Sequence, residues 1–175
     1  MGTRIILNLK ISRLSSELIF RSITPEDNVL VAQLIRSVLK EHGVDKPGTV
    51  YTDPTTDQLF ELFQTVKSAY FIALLNQKIV GACGIFPTSG LPENCVELVK
   101  LYVSKEARNR GIATELMNIS FDKAKAFGFT SIYLETMPEL TNAIHLYERV
   151  GFELLEQSLG NSGHFACNIW MLKNL

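Results

Sequence analysis

Between Cys95 and Thr136 the chain changes its hydrophobic period twice, and that change restricts the possible folds more than any other feature. The apolar run CVELVKLYV (Cys95 to Val103) reads as a strand. A charged stretch, SKEARNRG, then leads into a helical pattern from Ile112 to Phe127. There Ala113, Leu116, Met117, Phe121 and Ala124 make one face, and Glu115, Asn118, Asp122 and Lys125 the other. Gly128 stops the helix, and SIYLET (Ser131 to Thr136) reads as a second strand. Strand, helix and strand in this order predict a parallel pair joined by a crossover.

The first of these strands carries a phase slip. Val96 and Leu98 alternate in one phase, and Val99, Leu101 and Val103 in the other. A β-bulge produces such a slip and frees backbone groups for an extended ligand. A strand buried on both faces would also account for it.

The remaining pattern predicts a strand at ELIFRSIT (Glu17 to Thr24) and a helix from Pro25 to Gly43. A second helix is expected over DPTTDQLFELFQ, and a hairpin, AYFIALLN and KIVGACGIF, turning at Asn76-Gln77. A loop from Pro87 to Glu93 precedes the parallel unit. A helix, ELTNAIHLYERV, and a closing pair, FELLEQ and FACNIWML, follow it. The expectation is an α/β (α+β) fold with a mixed sheet.

With no repeat, linker or low-complexity tract in 175 residues, residues 17–175 are expected to form a single domain. Residues 1–16 are expected to be an N-terminal extension, either an added strand or a cloning remnant. The net charge of -1 supplies no basic excess for nucleic acid, and no apolar run reaches the roughly 20 residues of a membrane helix. Cys83, Cys95 and Cys167 are too few and too scattered for a disulfide scaffold or a metal site. The expected setting is cytoplasmic, without nucleic acid, membrane or metal as partner.

The helix beginning at Ile112 has two arginines and a glycine where Ser or Asp would ordinarily cap it. The first turn of a helix presents unpaired N–H groups and the positive end of the dipole, so Arg108 to Ala113 is suited to an anion such as a pyrophosphate. The stretch lacks the GxxxxGK[ST] and GxGxxG patterns of two other phosphate-binding loops.

Two motifs in order and register resemble the GCN5-related N-acetyltransferase (GNAT) family. The R/Q-x-x-G-x-G/A signature is present as Arg108, Gly111 and Ala113. The A-x-x-LYE-x-x-GF signature is present as Ala143, Leu146, Tyr147, Glu148, Gly151 and Phe152. The resemblance implies an acyl-CoA N-acyltransferase fold, a mixed, mostly antiparallel seven-stranded sheet splayed at its centre and flanked by helices. It implies acetyl-CoA as cosubstrate, with pantetheine on the backbone of Leu101, Tyr102 and Val103. The pyrophosphate would lie on the amides of Arg108, Asn109, Arg110, Gly111, Ile112 and Ala113. The second partner would be an amine acceptor of a small molecule or protein, and the enzyme a monomer or homodimer.

Direct transfer from a thioester to an amine needs a base and an acid. Tyr147 occupies the family's acid position, and its other reading is a ring packing the helix face. Glu97 is the candidate base: it interrupts an apolar strand, where desolvation would raise its pKa. Alternatively it pairs with a lysine at the sheet edge, while a water chain serves as base. The family often has Asn where this chain has Leu140, and Asn142 lies two residues on, on a different helical face. Glu135 and His164 are candidate acceptor-binding residues, with Cys167 beside them. A non-catalytic CoA-binding module, or transfer of a different acyl group or to a different nucleophile, would fit the same motifs.

Overall fold

The computed structural model describes residues 17–175, so the extension expected over residues 1–16 lies outside the described residues. Among the described residues seven strands form one sheet: β1 Leu18–Ser22, β2 Ala69–Leu75, β3 Lys78–Phe86, β4 Cys95–Val103, β5 Ser131–Thr136, β6 Glu153–Leu155 and β7 Ile169–Asn174. Their order is β1-β2-β3-β4-β5-β7-β6. Every neighbouring pair is antiparallel except β4 and β5, whose crossover is α3 (Ile112–Ala126). The other helices are α1 (Asn28–Glu41), the single turn α2 (Leu59–Leu62) and α4 (Thr141–Arg149).

The parallel pair is short. Cys95, Val96 and Glu97 pair with Ser131, Ile132 and Tyr133, and beyond them the strands part. On its other side β4 pairs with β3 through an irregular register: Ala82 faces Tyr102 while Gly84 faces Val99. Two steps along β3 thus match three along β4. The extra residue is a bulge, with Lys100 at φ 51°. The phase slip in the sequence therefore marks a bulge, in a strand largely buried on both faces.

The two sheet faces carry separate cores. On one, Leu116, Met117, Phe121 and Ala124 of α3 cover Ile85, Val96 and Leu98. Gly81 allows the close approach, since a Cβ there would lie 3.0 Å from Ile112 and 3.1 Å from Leu116. On the other face, Val31, Ile35 and Leu39 of α1 pack with Ile72, Ala82 and Tyr102. The β2–β3 turn is the expected two-residue hairpin, with Asn76 at φ 50° and Gln77 at φ 66°, the left-handed pair that matches strand twist.

Two elements differ from their sequence-based expectation. The segment DPTTDQLFELFQ is a 3-10 turn (Pro54–Asp57), capped by Asp53 through the Thr55 amide at 2.9 Å, followed by α2, because Gln58 at φ -133° and ψ 47° leaves the helical region between them. The segment FACN is loop, since Ala166 N donates to Gly48 O at 3.2 Å and the strand starts only at Ile169. Among the described residues, no helix is long and apolar enough to cross a membrane.

Candidate active site

Where β4 and β5 part, a cleft of about 1400 Å³ opens, larger than the roughly 300–1,000 Å³ of most small-ligand sites. One wall is the edge of β4 beyond Glu97, which has no partner in β5 and leaves the outward backbone groups around Leu101, Tyr102 and Val103 free for an extended ligand.

At one end lies the start of α3. Gly111 precedes it at φ 75°, ψ 0°, and no side chain caps the helix. The amides of Ile112, Ala113 and Thr114 have no intrahelical acceptor, and all three residues line the cleft. Asn109 also has positive φ, 60°. Arg108 is engaged within the protein: its guanidinium donates to Glu41 of α1 at 2.7 and 2.8 Å and to the Val103 carbonyl at 3.2 Å. Its side chain thus fixes the loop, and Arg110 is exposed outside the cleft lining. Lys105, which has no ion-pair partner among the described residues, adds positive charge at this end.

Tyr147 of α4 lines the middle of the cleft, 7% exposed, with its ring 5.8 Å from that of Phe152. Among the described residues its hydroxyl has no hydrogen-bond partner. Burial raises its pKa, so the phenol keeps its proton at neutral pH. Leu140 and Asn142 both line the cleft, although the helical spacing had set Asn142 apart.

Glu97 stands at the last paired position of β4, where the sheet begins to open. It is 4% exposed, and its Oε2 accepts from the Thr88 hydroxyl. Burial pushes its pKa up to about 7, with Glu135 adding and Thr88, His164 and Lys100 opposing. Glu135 on β5 accepts from the Tyr133 hydroxyl at 2.8 Å and from the Ser162 hydroxyl at 2.6 Å.

The chain also brings together a cluster that sequence reasoning missed. Lys100 Nζ lies 3.0 Å from Asp53 Oδ2, and His164 Nε2 lies 3.5 Å from the same oxygen. The hydrogen bond from His164, with Lys100 behind it, holds the Asp53 carboxyl well below the usual range against the effect of burial. Burial in turn lowers the Lys100 pKa. A lysine inside VELVKLYV is a signal of the same kind as Glu97, but Asp53 lies 47 positions away and no local pattern links the two.

The model of the acetyltransferase (GNAT) family matches residues 35–152. The chain belongs to that family. This GNAT acetyltransferase is 36% identical over 159 residues to the uncharacterized N-acetyltransferase YjgM of Escherichia coli (strain K12), covering 90% of this chain and 95% of YjgM. A GNAT acetyltransferase structure from Staphylococcus aureus Mu50 superposes with a TM-score of 0.81 at 20% identity, over 91% of this chain and 99% of that one. The PaiA N-acetyltransferase of Thermoplasma acidophilum, solved with coenzyme A, has a TM-score of 0.72 at 15% identity over 91% and 99%. The seven-stranded splayed sheet expected from the two motifs is thus the fold of this acetyltransferase.

The cleft of the GNAT acetyltransferase is electrostatically divided. Its α3 end carries Lys105 and the Arg108–Glu41 pair, and Asp53, Glu97 and Glu135 lie with Lys100 beyond the bulge of β4. The residues at the first end fit a CoA cosubstrate: free amides, an unpaired strand edge and positive charge meet a phosphate-bearing chain. Cys167 also lines the cleft, but burial pushes its thiol up to about 12, so it stays protonated and is a poor site for a covalent acyl intermediate.

Proposed function

We propose that this chain transfers an acetyl group from acetyl-CoA directly to a primary amine of a small molecule or protein, with Glu97 as base and Tyr147 as acid. The observation that carries the reading is a raised-pKa carboxylate and an unpartnered phenol on two walls of one cleft. Acetyl-CoA would supply the activated thioester, seated on the amides from Arg108 to Ala113 and on the β4 edge at Leu101 to Val103. Glu97, ionised, takes a proton from the acceptor ammonium and leaves a nucleophilic amine. Tyr147 Oη gives its proton to the departing sulfur as the new C–N bond replaces the C–S bond. Glu135 and His164 flank the acceptor.

One chain supplies both halves of the cleft, which supports residues 17–175 working as one domain, in a monomer or a homodimer. Three unpaired thiols support a reducing, cytoplasmic setting. The test is release of free CoA thiol from acetyl-CoA across a panel of amines. Amine-dependent release is expected. Acetyl-CoA binding without release for any amine would leave a non-catalytic CoA-binding module.

A further inference from the structure

The two carboxylates nearest the splay point are oriented but not neutralised. Glu97 is held by the Thr88 hydroxyl, and Glu135 by the hydroxyls of Tyr133 and Ser162. Among the described residues neither forms an ion pair. Lys100, the cation of this end, is already matched by Asp53, which also receives His164. A buried carboxylate such as Glu97 ordinarily has a counter-charge when ionised, and Glu135 beside it is half-buried, so the pair leaves room for cations that arrive with a ligand. Glu97 is buried and reaches the cleft, and Glu135 is close enough to raise its pKa.

The sheet also sets the spacing. Glu97 pairs with Tyr133, and Glu135 lies two residues further on the same face of β5, about 7 Å along the strand. With one strand spacing across as well, the two backbone positions lie roughly 8 Å apart, and carboxylates leaning inward from them can bracket the roughly 6 Å between the nitrogens of an extended four-carbon diamine. Among the described residues, a carboxylate on the acceptor would find no unpaired lysine or arginine beside Glu97 and Glu135, and it would be repelled by both.

We propose that the acceptor is a short diamine or polyamine, with one amine at Glu97 for reaction and a second, cationic, at Glu135. This rests on the acetyltransfer reading above and adds a substrate class to it. Glu135 is then the specificity-determining residue, and the hydroxyls of Tyr133 and Ser162 set its direction.

The experiment compares kcat/KM by thiol release for 1,4-diaminobutane, spermidine, n-butylamine, 4-aminobutanoate and a lysine-containing peptide. The diamine or spermidine should exceed n-butylamine by at least about thirtyfold, with 4-aminobutanoate lowest. In Glu135→Gln that ratio should collapse to within about threefold, and Glu135→Asp should restore part of it. Thermal midpoints and acetyl-CoA affinity serve as controls for folding. Should Glu135→Gln unfold, the wild-type ratio must still shrink as salt rises, because the second amine is read by charge.

Equal or better use of n-butylamine, 4-aminobutanoate or the peptide overturns the inference and leaves acetyltransfer standing. So does a ratio unchanged in Glu135→Gln. Bound acetyl-CoA with no thiol release for any amine removes the acetyltransfer reading and this inference with it.

Discussion

Glu97 and Tyr147 are opposite protonation problems solved by the same means, burial. For Glu97, burial favours the neutral acid and brings its pKa to about 7. Because that value lies above the ordinary 4.5, the stability Glu97 contributes is fully present below about pH 4.5 and lost as pH rises through 7. Glu97→Gln should therefore match the wild type near pH 4.5 and exceed its stability above pH 7, by up to roughly 3 kcal/mol. Denaturant titrations at the two pH values check this. The same ionisation should give kcat/KM an acidic limb near pH 7, which Glu97→Gln removes together with most of the rate. A limb that persists at near wild-type rates would point instead to the acceptor's own ionisation. Tyr147→Phe deletes a hydroxyl that has no partner among the described residues. Its thermal midpoint should stay within about a degree or two, while turnover falls on the order of a hundredfold. Turnover within a factor of two, with chemistry limiting, would assign the acid to another group.

At the scale of elements, the start of α3 works by leaving its amides uncovered. Gly111 holds a left-handed φ of 75°, and a Cβ added there would meet nothing within 4 Å. The first carbon of a side chain at Gly111 therefore meets no neighbour, and the effect of Gly111→Val is conformational. The substitution imposes a conformation costly for a β-branched residue, about 1–2 kcal/mol, and must re-aim the amides to relieve that cost. Affinity for acetyl-CoA, measured by calorimetry, should weaken at least about tenfold in the folded variant. Unchanged affinity would move the pyrophosphate elsewhere. The bulge in β4 does the complementary work. It lets a charged Lys100 enter a strand otherwise committed to two cores, and Leu101 and Val103 return to the face of Val96 and Leu98.

At the scale of the whole molecule, Asp53 joins three distant parts of the chain: the segment before α2, the bulge of β4 and the β6–β7 loop. Its pKa is depressed, so its contribution is present above about pH 4 and lost as pH falls toward its folded value. Asp53→Asn should destabilise the protein at pH 7 by about 3 kcal/mol, because the Lys100 side chain, 5% exposed, loses its partner. The difference from the wild type should shrink as the pH is taken below 4, in thermal melts across that range. A deficit that stays constant in acid would assign the effect to packing. The sequence alone determined the strand and helix order from Cys95 to Thr136, the hairpin at Asn76-Gln77 and the uncapped glycine start of α3, and it singled out Glu97 and Tyr147 as candidates, both of which line the cleft. Those features rest on local periodicity, turn chemistry and short motifs, which a linear reading contains. Only the tertiary structure decided that Arg108 points to Glu41, that Asn142 faces the cleft, and that Asp53, Lys100 and His164 meet. Each is a relation between side chains far apart in the chain, set by how two helices and two loops close over a splayed sheet, and no local pattern encodes it.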